Sequence, residues 1–522
     1  MALIKCNNLN MNLSRIILKS SSFKFRNTFL IRFYSTDTSL NELIKERNSR
    51  FGVKPSQMLS KPPFAKNLFL GVFDKDVLTY PELLSADQLK LLLDKLEPIE
   101  QYFTNEVKSY DIEHKRKISN EIINTLKNFK FFGLKIPKKY DGQGLNATEY
   151  ARYCEVIGVD SSISLLLLAH QVLGVQSLLR YGSEEQKIKF LPKLASGDWY
   201  AAFCFSEEIS GSDLAAIQTT AKESEKDGLR TWILNGSKLW VTNASSANIF
   251  IVLALTYSKN QFGDQKHVSA FIVERHYPGI IVGKPIDMIG VKGIEMNEVS
   301  FKNVQLTESN LLGDEKGGFK MAIDVLNSNR FAFGAVSLGF MKKLYKLVIN
   351  HVINRKQYVI DLKDCKQIQK HCSEIALRIY ALESMIYMTT GLHDCYENYD
   401  GSMENAIVKA FSMEEGQKCV DTCLDLLGAR GVVEDESYEK FYRDFKCLSI
   451  FDGALDFTKL YIAATGLHHA TSEYEDIKKY RDPFNNPTFI LKRLFSHRRQ
   501  ANDDPSLNLE LFLQLHPSLV QS

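Results

Sequence analysis

The chain has 522 residues, 44% of them hydrophobic and 24% charged, enough apolar content for a sizeable core and two or three domains. Lysine and arginine total 65 against 62 aspartate and glutamate. So even a balance gives no reason to expect a nucleic-acid partner.

The small positive excess sits at one end. Lys5, Arg15, Lys19, Lys24, Arg26 and Arg32 precede the first acid, Asp37, and the rest of the chain holds 59 basic and 62 acidic residues. Leu, Ile and Phe are spaced among those cations in a Ser- and Asn-rich setting, so residues 1–34 read as a mitochondrial presequence, with a cut before Ser35 in Arg32-Phe33-Tyr34-Ser35. Residues 35–78 carry few periodic apolar positions and read as a linker.

From 79 to 198 the pattern is helical. Ser85 is a candidate N-cap ahead of Leu89, Leu92, Leu93 and Leu96 at helical spacing, and Ile118 to Phe129 repeats the pattern. The run Ile163 to Val175 is about 13 residues long, short of the ~20 needed to cross a bilayer, and is expected to be a buried helix. Between 199 and 311 the period shortens. The runs 199–205, 231–234, 249–255, 269–273 and 298–304 read as strands, and Asn235-Gly236 reads as a tight hairpin turn. Beyond Gly317-Gly318 the helical period returns near 319–354, 365–395, 403–427 and 456–470, which predicts a four-helix bundle over 312–470. The fold class is therefore α+β, mostly α, with a middle β-domain. The tail 471–522 contains Lys492-Arg493 and His497-Arg498-Arg499 among apolar residues, a pattern for either a basic amphipathic helix at the inner membrane or a solvated tail. The cysteines show no metal spacing. Cys419 and Cys423 read as helix neighbours, and Cys365-x5-His371-Cys372 lacks a second cluster.

The segment 450–459, Ile-Phe-Asp-Gly-Ala-Leu-Asp-Phe-Thr-Lys, together with the runs at 191–197, 235–243 and 461–467, resembles acyl-CoA dehydrogenases. Phe69-Leu70-Gly71, Tyr80-Pro81-Glu82 and Leu467-His468-His469-Ala470 favour the very-long-chain branch, and within it the ninth member of the family. The resemblance covers about residues 70–470. It implies the family fold: an N-terminal helical domain, a middle β-domain and a C-terminal four-helix bundle. It also implies FAD, a long-chain acyl-CoA substrate, electron-transfer flavoprotein as acceptor, a homodimer, and a place in the mitochondrial matrix or on the matrix face of the inner membrane. The ninth member also assists respiratory complex I assembly, so contacts with assembly factors, with little or no catalysis, are the alternative. That branch normally carries a further helical domain at its C-terminus, expected to start near Leu515 to Leu519, soon after which the given sequence ends.

Site residues follow from the same resemblance. Asp452 stands where most of the family has the Glu base, and Gly453 follows it. Relatives that place the base directly before the Arg of Leu-Asn-x-Gly-Arg-Phe have no counterpart here, since that position is Asn329. Asn327 would bind pantetheine and Arg330 would lie near the base. Trp240 and Thr242 fill the Trp-x-Thr that flanks the flavin. Phe205 and Ser206 open the loop at its pyrimidine edge, and Ser212 would meet phosphates. Glu208 replaces the usual Pro of that loop. Arg355 would reach the flavin pyrophosphate across a dimer interface, followed by Tyr358 for Phe and Val359 for Gly. At the adenine end Asp425 replaces Gln, beside Gly428, while Ala454 and Asp456 replace Thr and Glu or Gln. An Asp carboxylate reaches less far than Glu, which predicts slow dehydrogenation.

Overall fold

The N-terminal helices start where the sequence supplies a side-chain acceptor. The computed structural model of the chain describes residues 61–78, 84–260, 263–434 and 438–478. The presequence with its cut site and the basic tail segment lie outside those residues. Helix α1 spans Phe64–Leu68 and α2 spans Ala86–Asn105, where Ser85 and Gln88 form the reciprocal capping box expected from Ser85. Helices α3 (Ser109–Lys115), α4 (Asn120–Asn128) and α5 (Ala147–Ile157) follow, with Ser119 capping α4 and an Asn146–Glu149 box capping α5. Asp160 caps α6 (Ser161–Leu168), and the chain continues as a π-helical stretch, Ala169–Val175, into α7 (Gln176–Tyr181) and α8 (Glu184–Ser196). The stretch 161–181 is long and apolar enough to cross a membrane, yet 89% of its apolar window is buried in the protein. It is a core helix, and the π turn within it was not foreseen.

Seven strands form the middle layer: β1 (Ala201–Cys204), β2 (Thr220–Lys226), β3 (Leu229–Thr242), β4 (Ile249–Asn260), β5 (Gly263–Glu274), β6 (Ile280–Pro285) and β7 (Met296–Thr307). Their order is β1-β4-β2-β3-β7-β6, with β5 paired to the other side of β4. The expected hairpin at Asn235-Gly236 is corrected here. Both residues lie inside β3, at a register shift against β7, and the β2–β3 turn is Asp227-Gly228, with φ of 55° and 75°. Glycine is needed at 236 for a different reason: a Cβ there would approach Thr219 Oγ1 to 2.4 Å. Asn235 Oδ1 accepts from Asn303 N at 2.8 Å, which holds the bulge in place.

The C-terminal layer contains α9 (Gly318–Ser328), α10 (Phe331–Asn354), the hairpin of β8 (Lys356–Gln357) and β9 (Ile360–Asp361), then α11 (Lys366–Cys395), α12 (Ser402–Leu427), α13 (Glu439–Ile450) and α14 (Leu455–Lys478). Helix α10 packs against α5, α11 and α12, and α12 packs against α14. Two expectations change. The single helix foreseen over 319–354 breaks at Asn329-Arg330, and α13 is an additional helix ahead of the 450–459 segment. Residues 61–78 also differ from a linker: Ala65 N donates to Glu404 Oε1 on α12 at 2.8 Å, Phe64 N donates to the Tyr399 hydroxyl at 3.0 Å, and α1 rests on α14.

Candidate active site

Two interruptions in helix create the first half of the site. One is the break between α9 and α10, which carries Arg330; the other is the break between α13 and α14, which carries Asp452 and Gly453. At the second break the backbone is left-handed, with φ of 60° at Asp452 and 106° at Gly453. Aspartate tolerates that region better than most residues, and glycine is unhindered there. A Cβ on Gly453 would also come within 3.4 Å of Arg330 Nη2.

The turn places the Asp452 carboxylate between two cations, with Oδ2 lying 3.6 Å from Arg330 Nε and 3.5 Å from Lys409 Nζ. The carboxylate and the Lys409 side chain are completely enclosed, and that of Arg330 nearly so. Among the described residues, neither Asp452 oxygen accepts a hydrogen bond, and Arg330 Nε and Nη1 have no hydrogen-bond acceptor. Enclosing such groups costs free energy, which Coulomb attraction offsets only in part at these separations. A buried polar group left without a partner calls for an explanation, and a catalytic role is one. Aromatic faces complete the wall. Phe333 lies 4.7 Å from Lys409 Nζ, and Tyr461 lies 5.7 Å from the Arg330 guanidinium.

The second half is built on the end of β3. A register shift between Lys238 and Val241 extrudes Trp240, whose φ is 56° and whose side chain is 49% exposed. A bulky residue with positive φ is a true outlier, and strained, exposed aromatics mark functional surfaces more often than cores. Two residues on, Thr242 is buried and its hydroxyl has no hydrogen-bond partner among the described residues. The loop carrying Phe205 and Ser206 is joined to this bulge, because Leu239 N donates to the Ser206 carbonyl at 2.9 Å. Helix α6 links the halves. Asn243 Nδ2 donates to Leu166 O at 3.0 Å, and Leu166 and Phe451, the neighbour of Asp452, both pack against the cluster of Leu165, Val291 and Ile294.

Asn327 is buried near the first break, and its carbonyl accepts from Asn405 Nδ2 at 3.0 Å. The other expected residues are not gathered with it. Ser212 and Glu208 are exposed on the loop after β1. Arg355 is exposed at the base of the β8–β9 hairpin, and Tyr358 and Val359 at its tip are 95% and 98% exposed with positive φ. Asp425 and Gly428 lie on the exposed end of α12, and Ala454 and Asp456 on the exposed start of α14. Among the described residues, no hydrogen bond or ion pair joins any of these to Trp240 or Thr242.

Lysines 238 and 409 escaped the sequence reading. Lys238 is fully buried below the Trp240 bulge and pairs with Glu207 Oε1 at 2.7 Å, while Glu207 also accepts from Gln218 N at 2.6 Å and Thr219 N at 3.0 Å. Burial drives the Glu207 carboxyl upward, but the Lys238 ammonium and these hydrogen bonds outweigh it and hold the group below its usual range. The signal for Lys409 was present: a lone cation within the apolar run Ala406-Ile407-Val408-Lys409-Ala410-Phe411 of a helix.

Comparison with known proteins agrees with this architecture. Models of the N-terminal, middle and C-terminal domains of acyl-CoA dehydrogenase match residues 95–198, 202–304 and 316–467. The mitochondrial very long-chain specific acyl-CoA dehydrogenases of Homo sapiens and Mus musculus are 34% and 33% identical over 475 residues, 90% of this chain and 72% of theirs. A solved acyl-CoA dehydrogenase complexed with FAD, from Bacillus anthracis, gives a TM-score of 0.69 at 26% identity, covering 79% of this chain and 72% of that one. Butyryl-CoA dehydrogenase from Megasphaera elsdenii gives 0.67 at 25% identity, over 72% of this chain and 98% of its own. A helical layer, a sheet and a helical bundle in this order, matched domain by domain, place the chain in the acyl-CoA dehydrogenase family of oxidoreductases acting on CH–CH bonds.

Proposed function

We propose that this protein carries out FAD-dependent α,β-dehydrogenation of long-chain fatty acyl-CoA in mitochondrial β-oxidation, acting as a homodimer and passing electrons to electron-transfer flavoprotein. The observation that carries this reading is the Asp452 carboxylate, enclosed between Arg330 and Lys409 with no hydrogen bond of its own. Likeness to mitochondrial very long-chain enzymes supports the substrate class and the compartment, the matrix or the matrix face of the inner membrane.

The residues fit a flavin. Thr242 offers a buried, unpartnered hydroxyl, Trp240 an exposed aromatic face on a strained bulge, and Ser206 a loop pinned to that bulge. When bound, FAD supplies the acceptor for the hydride leaving the substrate Cβ. Asp452 takes the proton from Cα, and Arg330 and Lys409 hold that carboxylate in its slot. An open cavity of about 640 Å³ lies between the loop after Asp213 and the start of α9, with Lys266, His267, Lys316 and Phe319 on its wall. Its cations suit the phosphates of a CoA, and α9 runs from this cavity to Asn327 and the Arg330 break, about 12–16 Å at 1.5 Å per residue. Arg355 and Tyr358, exposed on their hairpin, would serve the flavin of a second copy. An Asp carboxylate ends about 1.5 Å short of a Glu carboxylate, one C–C bond, so turnover is expected to be slow.

Anaerobic mixing of the flavin-loaded protein with palmitoyl-CoA tests the reading: the visible flavin band should bleach, and a band that persists through long incubation with bound ligand sinks it. A second reading rests on the exposed adenine-end positions Asp425, Ala454 and Asp456, whose chemistry departs from the family pattern. It makes the chain a weakly catalytic complex I assembly factor, as the resemblance to the ninth family member implies. Affinity purification from mitochondria separates the two, since a scaffold must co-elute with complex I subunits or assembly factors.

A further inference from the structure

Lys409 is a fully buried cation in the wall of the Asp452 site. It projects from the middle of α12, beside Val408 and Ala410, with its ammonium 4.7 Å from the Phe333 ring. Its ammonium donates to the Phe451 carbonyl, which closes α13 one residue before the base, and lies 3.5 Å from Asp452 Oδ2. Phe451 is held a second time by its ring, whose centre is 5.7 Å from that of Phe333. The left-handed turn at 452–453 therefore has one buried polar attachment on each side, Lys409 at the Phe451 carbonyl and Arg330 Nη2 at the Asp452 carbonyl, 3.5 Å away.

We propose that Lys409 is a positioning residue for the dehydrogenation: its ammonium fixes the turn at 451–453 and thereby aims the Asp452 carboxylate at the substrate Cα. The inference rests on the function proposed above. A buried ammonium is expensive, and a methionine or leucine of similar volume would fill this wall at lower cost. What the lysine adds is a donor for a backbone carbonyl at a helix end and a positive charge beside the base. Burial pulls the Lys409 ammonium down to about 7, the Asp452 carboxylate opposes the fall and Arg330 reinforces it, so the cation depends on its acidic neighbour to stay charged. For a short base the aim matters more than for a long one, because a displacement of about 1 Å can cost roughly 100-fold in rate.

The test compares wild type with Lys409→Met, both loaded with flavin. Two rates are followed: flavin bleaching by palmitoyl-CoA, and exchange of α-protons into D2O from a 3-thia-acyl-CoA, whose sulfur at the β position forbids hydride loss. The expected result is a loss of roughly 100-fold in both rates, with unchanged flavin content and unchanged affinity for the thia-ligand. Equal exchange rates in variant and wild type overturn the assignment while leaving the enzymatic reading intact. A wild type that neither bleaches nor exchanges removes the reaction itself, and the positioning role with it. Should Lys409→Met not fold, Lys409→Arg takes its place: it keeps the charge but displaces the donors, so slowed exchange with retained ligand affinity supports the proposal and unchanged exchange overturns it.

Discussion

Two of the buried lysine–carboxylate pairs, one in the sheet and one in the bundle, are built to opposite specifications. In the sheet, Glu207 is saturated: Lys238 at 2.7 Å and two backbone N–H groups within 3.0 Å use its acceptor capacity. In the bundle, Asp452 is starved, with cations at 3.5 and 3.6 Å and no hydrogen bond to either oxygen. A saturated buried carboxylate locks a loop to a strand, here the 205–213 loop to the Trp240 bulge. A starved one keeps its lone pairs free for a proton brought by something else. Equal burial and the same partner type thus distinguish nothing until the hydrogen bonds are counted.

The contrast can be broken at either end. The largest effect is expected for Asp452→Asn, which removes the only carboxylate at the turn. Flavin bleaching by acyl-CoA should fall by roughly 10²–10⁴-fold, the usual contribution of a positioned base, while urea unfolding shows a smaller loss of stability than the sheet pair does, because Lys409, held down to about 7 by burial, can release its proton once its counter-ion is gone. In the sheet the outcome inverts. Lys238→Met should cost about 3–5 kcal/mol in the same unfolding measurement, because it strands a buried carboxylate. A loss there as small as that of Asp452→Asn would show that saturation is not what separates the two pairs. Asp452→Glu should raise the bleaching rate by up to about 100-fold, since it restores the missing reach; an unchanged rate would mean that reach is not what limits the base.

The smallest effect concerns acid. Glu155 is a half-buried carboxylate that is also saturated, accepting from Lys342 Nζ at 2.8 Å and from the Tyr387 hydroxyl at 2.7 Å. Burial pushes it upward, but Lys342 and Arg152 prevail and bring it down to about 2. A carboxylate depressed on folding contributes stability that is complete above its unfolded value and is lost as pH falls through the folded one. Stability owed to Glu155 should therefore hold down to about pH 4.5 and decline from there toward 2, and Glu155→Gln should flatten that part of the pH–stability curve.

Where sequence patterns are local, they were legible. The Ser85 cap, the buried run at 163–175 and the change from helical to strand period all follow from residues within one or two turns of each other. Asn235-Gly236 was misread because a bulge inside a long strand and a hairpin turn ask for the same backbone freedom; only pairing with β7 separates them. The split at Asn329-Arg330 was hidden because the apolar period continues across it.

By itself the sequence determined the helix–sheet–helix order, the family, and the identity of the acidic side chain at 452. The tertiary structure alone decided what surrounds that side chain. Arg330, Lys409 and Asp452 come from three separate segments of the bundle, and their enclosure and missing hydrogen bonds are properties of packed side chains that no spacing along the chain encodes. The same holds for the exposure of Arg355, Asp425 and Asp456, which depends on how far each helix end and hairpin stands from its neighbours.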